Sequence, residues 1–281
     1  LASKETIFKQ NIGTEALDVE YSPDGTLLAT GDTRGQIRFC DARTGRIVRF
    51  VGGKHAGNVW RISFSQDGRG LTSIGEDRLV KHWHVDTGRL LHTLSGHAAW
   101  INDVVHIPRS SRAATSGRDN TIRLWDLNPE NNFCQTVRTK NGVRCIAFAP
   151  NGRMFASGGG NHLTLWNAKD MSAILTVEGL HDPEEIWSVS FSHDGQVLAA
   201  GDGYGTITIV KTTTGKVANT VSGHEGRVAT VRFSPDSRTL VSAGIDGSIR
   251  LWDVRTWKQK EVMRTDATFY FPVEFVQGTN C

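Results

Sequence analysis

Three stretches of the chain hold a histidine, a hydroxyl, an aspartate and a tryptophan at one fixed spacing. They are His55, Ser73, Asp77 and Trp83; His97, Thr115, Asp119 and Trp125; and His224, Ser242, Asp246 and Trp252. In each set Asp follows His by 22 residues and Trp follows His by 28. Serine, histidine and aspartate together are the parts of an acyl-transfer triad. A nucleophile, however, is needed once and on an exposed turn, whereas this set occurs three times and ends on an indole. An indole N–H only donates, a carboxylate only accepts, and histidine and a hydroxyl do both. A relay from Trp through the hydroxyl and His to Asp therefore satisfies every polar group of a buried set. The three quartets read as structural tetrads and not as catalytic residues.

Such relays need a scaffold that repeats with them. The residue that ends the first strand of each repeat is Tyr21, Phe64, Ile107, Phe148, Phe191 and Phe233. Successive spacings are 43, 43, 41, 43 and 42, a period that marks four-stranded propeller blades. Val228, Val231 and Phe233 sketch a short, mostly buried inner strand. Ser22-Pro23-Asp24-Gly25 and Ser192-His193-Asp194-Gly195 are hairpin turns, because Asp caps the turn and Gly takes the positive φ of a tight reversal. A second strand follows, then a third that ends in Trp83, Trp125, Trp166 or Trp252. Thr44-Gly45, Thr87-Gly88 and Thr214-Gly215 turn the chain into an outer strand. The fold class is all-β.

Trp125-Asp126 and Trp252-Asp253 close their third strands with the dipeptide that names the WD-repeat family, and the chain resembles that family over nearly its whole length. The pattern departs from the family at Cys40 and Val210 in the Trp position, and at His84, Asn167 and Lys211 in the Asp position after it. The first, fourth and fifth repeats lack the tetrad and offer Arg34, Gly160 and Tyr204 at or near the tetrad Asp position. The expectation for those blades is that packing alone holds them.

The resemblance implies a β-propeller whose narrower face binds peptides or proteins around a central channel. It also implies contact positions three and five residues after the motif His and one before the motif Asp. These are Asn58, Trp60 and Glu76 in the second repeat, and Trp100, Asn102 and Arg118 in the third. The sixth gives Arg227, Ala229 and Ile245, and the first gives Glu15, Leu17 and Thr33. Aligning the degenerate repeats on their strand-ending Phe adds Arg144, Glu185 and Trp187, with Tyr204 nearby. Trp, Tyr and Arg are the types enriched in binding hot spots, and the arginines suit carboxylates or phosphates. An extended peptide with an apolar anchor and an acidic group is the expected ligand. The same aromatics would equally serve to plug the channel mouth or pack between blades. A hydrolase or lyase site at the channel mouth is the alternative, with Glu76, Glu185 and Arg118 as its titratable groups.

Weaker motifs are read as structural. His82 and His84 share one strand face beside Trp83, with His92 on the next strand; a metal is not expected there, and solvated outer-blade histidines are. Gly158-Gly159-Gly160-Asn161 lacks the Lys-Ser/Thr and the helix of a phosphate loop and reads as a shortened hairpin. Arg138, Lys140 and Arg144 read as a solvated basic cluster. Phe269-Tyr270-Phe271-Pro272 reads as an inner strand.

Composition bounds the remaining classes. Of 281 residues, 32 are Lys or Arg and 29 Asp or Glu, a net charge of +3 that offers no basic stripe for nucleic acid. A hydrophobic content of 38% with 22% charged residues suits a globular chain. No apolar run reaches the length of a bilayer-spanning helix. Cys40, Cys134, Cys145 and Cys281 are far apart, which excludes a zinc ribbon and a disulfide framework and fits a reducing, cytoplasmic setting. No cofactor is expected, and the expected partner is a protein or peptide. Residues 15–264 supply six full repeats of a single domain. Residues 1–14 supply an outer strand and 265–281 an inner strand of an incomplete blade. That sum falls between six blades and seven, so the expectation is a segment of a longer chain or a ring with an incomplete seventh blade.

Overall fold

Each of the six repeats folds into one antiparallel sheet of four strands joined in chain order. The computed structural model describes residues 13–128, 130–131, 133–177, 180 and 186–264, and contains no helix among them. In the first blade the strands are Ala16–Tyr21, Leu27–Asp32, Ile37–Asp41 and Ile47–Phe50. The later blades occupy residues 59–94, 101–138, 145–177, 188–222 and 228–264. The expected terminal strands, 5–9 and 271–276, and the 269–272 segment lie outside the described residues, as do Glu185 and Cys281.

Burial rises and falls with strand order, as the sequence pattern requires. Second strands are nearly all buried, as in Gly70–Gly75, whereas outer strands are half-exposed, as in Leu90–Leu94. The apolar residues gather between neighbouring blades. Phe39 and Ile37 of the first blade pack with Leu71 and Trp83 of the second. Ile74 and Val80 pack with Trp125 of the third, and four such steps beyond the first carry the core round to the sixth blade. This sheet-on-sheet burial, and not any one blade, is what stabilises a propeller.

The inner strands are Ala16–Tyr21, Val59–Phe64, Ile101–His106, Cys145–Phe148, Ser188–Phe191 and Val228–Phe233. They contact one another in sequence from the first blade to the sixth and line the channel. Among the described residues the sixth inner strand makes no comparable contact with the first. Side chains of one inner strand receive backbone N–H groups of the next. Asp18 accepts from Ile62 at 2.7 Å, Asp103 from Ile146 at 2.9 Å and Ser188 from Val231 at 3.1 Å.

The three tetrads form as read. His55 Nε2 lies 2.7 Å from Ser73 Oγ and its Nδ1 2.8 Å from Asp77, while the Trp83 indole donates to Ser73 at 2.8 Å. The His97 set repeats this at 2.7, 2.9 and 2.8 Å. The His224 set does so at 2.7, 3.0 and 2.9 Å. Each Asp also accepts the backbone N–H of the residue after its His, at Ala56, Ala98 and Glu225. Burial pushes the Asp246 carboxyl up, but the Glu225 amide, His224 and Ser248 outweigh it and hold its pKa well below the usual range. Burial likewise depresses His97 and His224, so their imidazoles are neutral.

Two degenerate blades are not held by packing alone. Asp32 in the first and Asp202 in the fifth cap the turn where a tetrad Asp would sit. Asp32 accepts the amides of Arg34 and Gln36 at 2.8 and 2.9 Å, and Asp202 those of Tyr204 and Thr206 at 2.9 and 2.8 Å. Each stands two residues before the position at which a tetrad Asp is expected.

Candidate functional site

The contact positions expected from the motif occupy one structural frame. The residue before the tetrad Asp donates its amide to the carbonyl of the residue three after the tetrad His. This holds for Glu76 to Asn58, Arg118 to Trp100 and Ile245 to Arg227, and for Thr33 to Glu15 in the first blade. The position five after the His is a β-bulge. Trp60, Asn102 and Ala229, with Leu17 in the first blade, are each the extra residue where register slips against the second strand. A bulge re-aims its side chain and bends the strand. Of the bulge residues, Asn102 and Ala229 line a depression at the channel, while Trp60 packs against the core between the second and third blades.

Two clusters result. Trp187 of the fifth blade carries two guanidinium groups on one indole, Arg144 at 4.3 Å and Arg227 at 4.1 Å from the ring centre. These three residues, from three successive blades, line a depression of about 140 Å³ with Arg61, Asn102 and Ala229. The second cluster lies at the second and third blades. Trp60 and Trp100 sit 6.3 Å apart with their planes tilted by 40°, and the Arg118 guanidinium lies 5.0 Å over Trp100. Trp100 is 44% exposed, which leaves an apolar face open to a partner.

Charge is arranged unevenly. Arg61 reaches down to Asp18 at 3.2 Å and to Asp103 at 3.9 Å. Burial pushes Asp18 up to about 6 and raises Asp103 also, with Arg61 opposing in both. Asp18 and Asp103 thus share the channel with Arg61 and Arg232, while Arg144 and Arg227 line the depression at Trp187 with no carboxylate among its described lining residues. Such a depression attracts anions.

The remaining expected residues are placed as follows. Asn102 donates from Nδ2 to the Val143 carbonyl at 2.7 Å and so ties the third blade to the fourth. Glu76 receives the Asn58 amide at 3.3 Å. Tyr204 is 54% exposed, at the turn capped by Asp202. Arg138 and Lys140 are exposed, but Arg144 leaves that basic cluster for Trp187.

The histidines depart from expectation. His82 is buried, its Nδ1 3.0 Å from Thr72 Oγ1, which also meets His106 Nε2 at 2.9 Å. Burial, with each imidazole disfavouring charge on its neighbours, pushes His82 down to about 4 and His106 to about 3. They form a neutral pair, His82 buried and His106 half-buried, and not a solvated face. Among the described residues no three His, Cys, Asp or Glu side chains converge as metal ligands would. Burial also raises the Cys145 thiol far above its ordinary range, which leaves it protonated. No helix among the described residues is long and apolar enough to cross a membrane.

Comparison with known proteins agrees with this geometry. The chain is 28% identical over 252 residues to the anaphase-promoting complex subunit cdc20 of Dictyostelium discoideum, covering 84% of the chain and 48% of that protein. It is 25% identical over 280 residues to WD repeat-containing protein 82 of Drosophila melanogaster, covering 96% and 86%. It is 26% identical over 250 residues to autophagy-related protein 16 of Arabidopsis thaliana, covering 86% and 48%. The chain thus spans about half the length of the first and third of these relatives. The family model described as the IFT122 first β-propeller matches residues 58–277. With six four-stranded blades, three tetrads and that match, the chain belongs to the WD-repeat β-propeller family.

Proposed function

We propose that this chain is a non-enzymatic scaffold that holds an extended, acidic segment of a partner protein across the channel mouth. The observation that carries the reading is the stack of Arg144 and Arg227 on Trp187, three residues from three successive blades around one depression. Stacking on an indole desolvates the face of a guanidinium, and a desolvated guanidinium bonds a carboxylate more strongly. Trp60 and Trp100 supply an apolar anchor site on the neighbouring blades. The related proteins, one of them named as a subunit of a complex and one as a WD repeat-containing protein, support a role in complex assembly. The tetrads that imitate a triad are closed relays whose hydroxyls are fully engaged, which supports a role without catalysis.

An array of immobilised 12-residue peptides tests this. Wild-type chain should select peptides that join an aromatic or aliphatic residue to Asp or Glu. A Trp100→Ala, Trp187→Ala double variant of unchanged melting temperature should lose that selection. Equal capture by both proteins would remove the channel mouth as the binding face.

A further inference from the structure

The fourth blade keeps half a tetrad. Trp166 donates its indole N–H to Ser157 Oγ at 2.8 Å, as the other three closing tryptophans do to their hydroxyls. In those blades the hydroxyl then meets His Nε2 at 2.7 Å. Here the His position is Thr139, whose hydroxyl turns away to the carbonyls of Asn120 and Asn141 at 3.1 and 2.6 Å. The Asp position is lost in the Gly160-Asn161 turn, shorter by one residue than its counterpart in the third blade. The volume that His and Asp would fill is a cavity of about 190 Å³ bounded by Thr139, Ser157, Thr164, Trp166 and His162.

Two polar groups in that cavity are unmet. Ser157 is 5% exposed, and among the described residues no acceptor takes its own proton. His162 Nδ1 is buried with no hydrogen-bond partner. Arg138 and Lys140 are exposed at the rim, together with the uncharged Asn141, Ala173 and Thr176. A cavity of this size holds about six waters at roughly 30 Å³ each, which is room for a carboxylate with a few carbons behind it. A carboxylate offers about four acceptor sites. It can take the Ser157 proton, with its negative charge toward the basic rim. The Trp166 ring lies against its methylene groups.

We infer that the fourth blade holds a small carboxylate in the space its missing tetrad residues leave, a site separate from the channel mouth. The ligand supplies from outside the chain the partner that the Ser157 hydroxyl lacks and that a tetrad His supplies in the intact blades. The carboxylate comes either from a free short-chain acid or from a Glu or Asp side chain of a bound peptide.

Nuclear magnetic resonance of the whole chain tests the site, read at the Trp166 indole N–H and the His162 ring. N-acetyl-glutamate N-methylamide and acetate should shift both resonances saturably. The matched glutamine compound should not, and inorganic phosphate should move neither by a comparable amount. Tighter binding of the glutamate compound than of acetate assigns the carboxylate to a peptide; equal or weaker binding assigns it to a free acid. Thr164→Leu fills the cavity from one wall and should weaken binding about tenfold or more, as loss of one good contact does. If that variant fails to fold, Arg138→Gln with Lys140→Gln, both at exposed positions, should weaken binding and make it less dependent on salt. Equal response to the glutamine compound or to phosphate, or no shift of Trp166 and His162 with either carboxylate, overturns the inference.

Discussion

Asp32 and Arg38 form a buried ion pair, Nη1 to Oδ2 at 2.6 Å, in a blade that has neither tetrad His nor closing Trp. The other carboxylate oxygen caps the turn through the amides of Arg34 and Gln36. One residue thus does for the first blade what His and Asp do for the second. Asp32→Ala strands a guanidinium that is 9% exposed, and breaking a buried pair from one side costs about 3–5 kcal/mol. Asp32→Asn keeps an acceptor for the two amides and should lose less. Urea denaturation of the two variants checks the order; equal losses would assign the whole effect to the charge pair.

That device was hidden from a reading that measured the Asp position from a motif His, because the first and fifth repeats have none. The signal is present nonetheless. Gly31-Asp32-Thr33-Arg34-Gly35-Gln36-Ile37 and Gly201-Asp202-Gly203-Tyr204-Gly205-Thr206-Ile207 share one Gly-Asp-x-x-Gly-x-Ile pattern. Gly35 and Gly205 each have positive φ, and a Cβ on either would run into the backbone carbonyl of His55 or His224. The blades and tetrads were legible because each is written within one period of the chain. The stack of Arg144 and Arg227 on Trp187 was legible only as three separate candidates, since it depends on how three blades turn about the channel. The pairing of His82 with His106 through Thr72 joins two blades in the same way, and strand alternation alone pointed to His84 and His92.

The tetrads should contribute as independent units. Asp119→Ala leaves His97 without its acceptor and the Ala98 amide unmet, at a cost of about 1–3 kcal/mol. Asp77→Ala should cost a similar amount in the second blade. The two tetrads share no partner, so the double variant should lose nearly the sum. A melting temperature unchanged by Asp119→Ala, measured by calorimetry, would contradict a structural role.

Stability should fall as pH drops below about 6.5. His82 and His106 have folded values of about 4 and 3 against an ordinary 6.5. In that window the unfolded chain binds protons that the folded chain refuses, so stability present above 6.5 is lost as pH falls toward the folded values. Each group changes stability by up to about 1.4 kcal/mol per pH unit. Asp18, raised to about 6, and Asp103, raised also, work the other way, because their folded forms take up a proton at higher pH than the unfolded ones. The histidines, with His97 and His224 depressed in the same direction, outnumber them. His106→Gln should therefore flatten the loss between pH 6.5 and 4, while Asp18→Asn should steepen it. Denaturation midpoints across that range decide the signs.

The channel mouth separates charge from stacking. Trp187 is half-buried and carries both guanidiniums, so Trp187→Ala removes the surface that orders them. Trp187→Phe keeps a smaller ring for cation–π contact, worth about 0.5–2 kcal/mol per guanidinium. An acidic peptide selected by wild type should therefore bind in the order wild type, Trp187→Phe, Trp187→Ala. Arg144→Gln with Arg227→Gln removes the charge and leaves the ring. That variant should lose most of the salt dependence of binding, because screened attraction is what salt weakens. Calorimetric titration at low and high salt distinguishes the two effects. If Trp187→Ala binds as well as wild type while the arginine variant does not, the arginines act without the stack, and the indole serves only to fill the channel mouth.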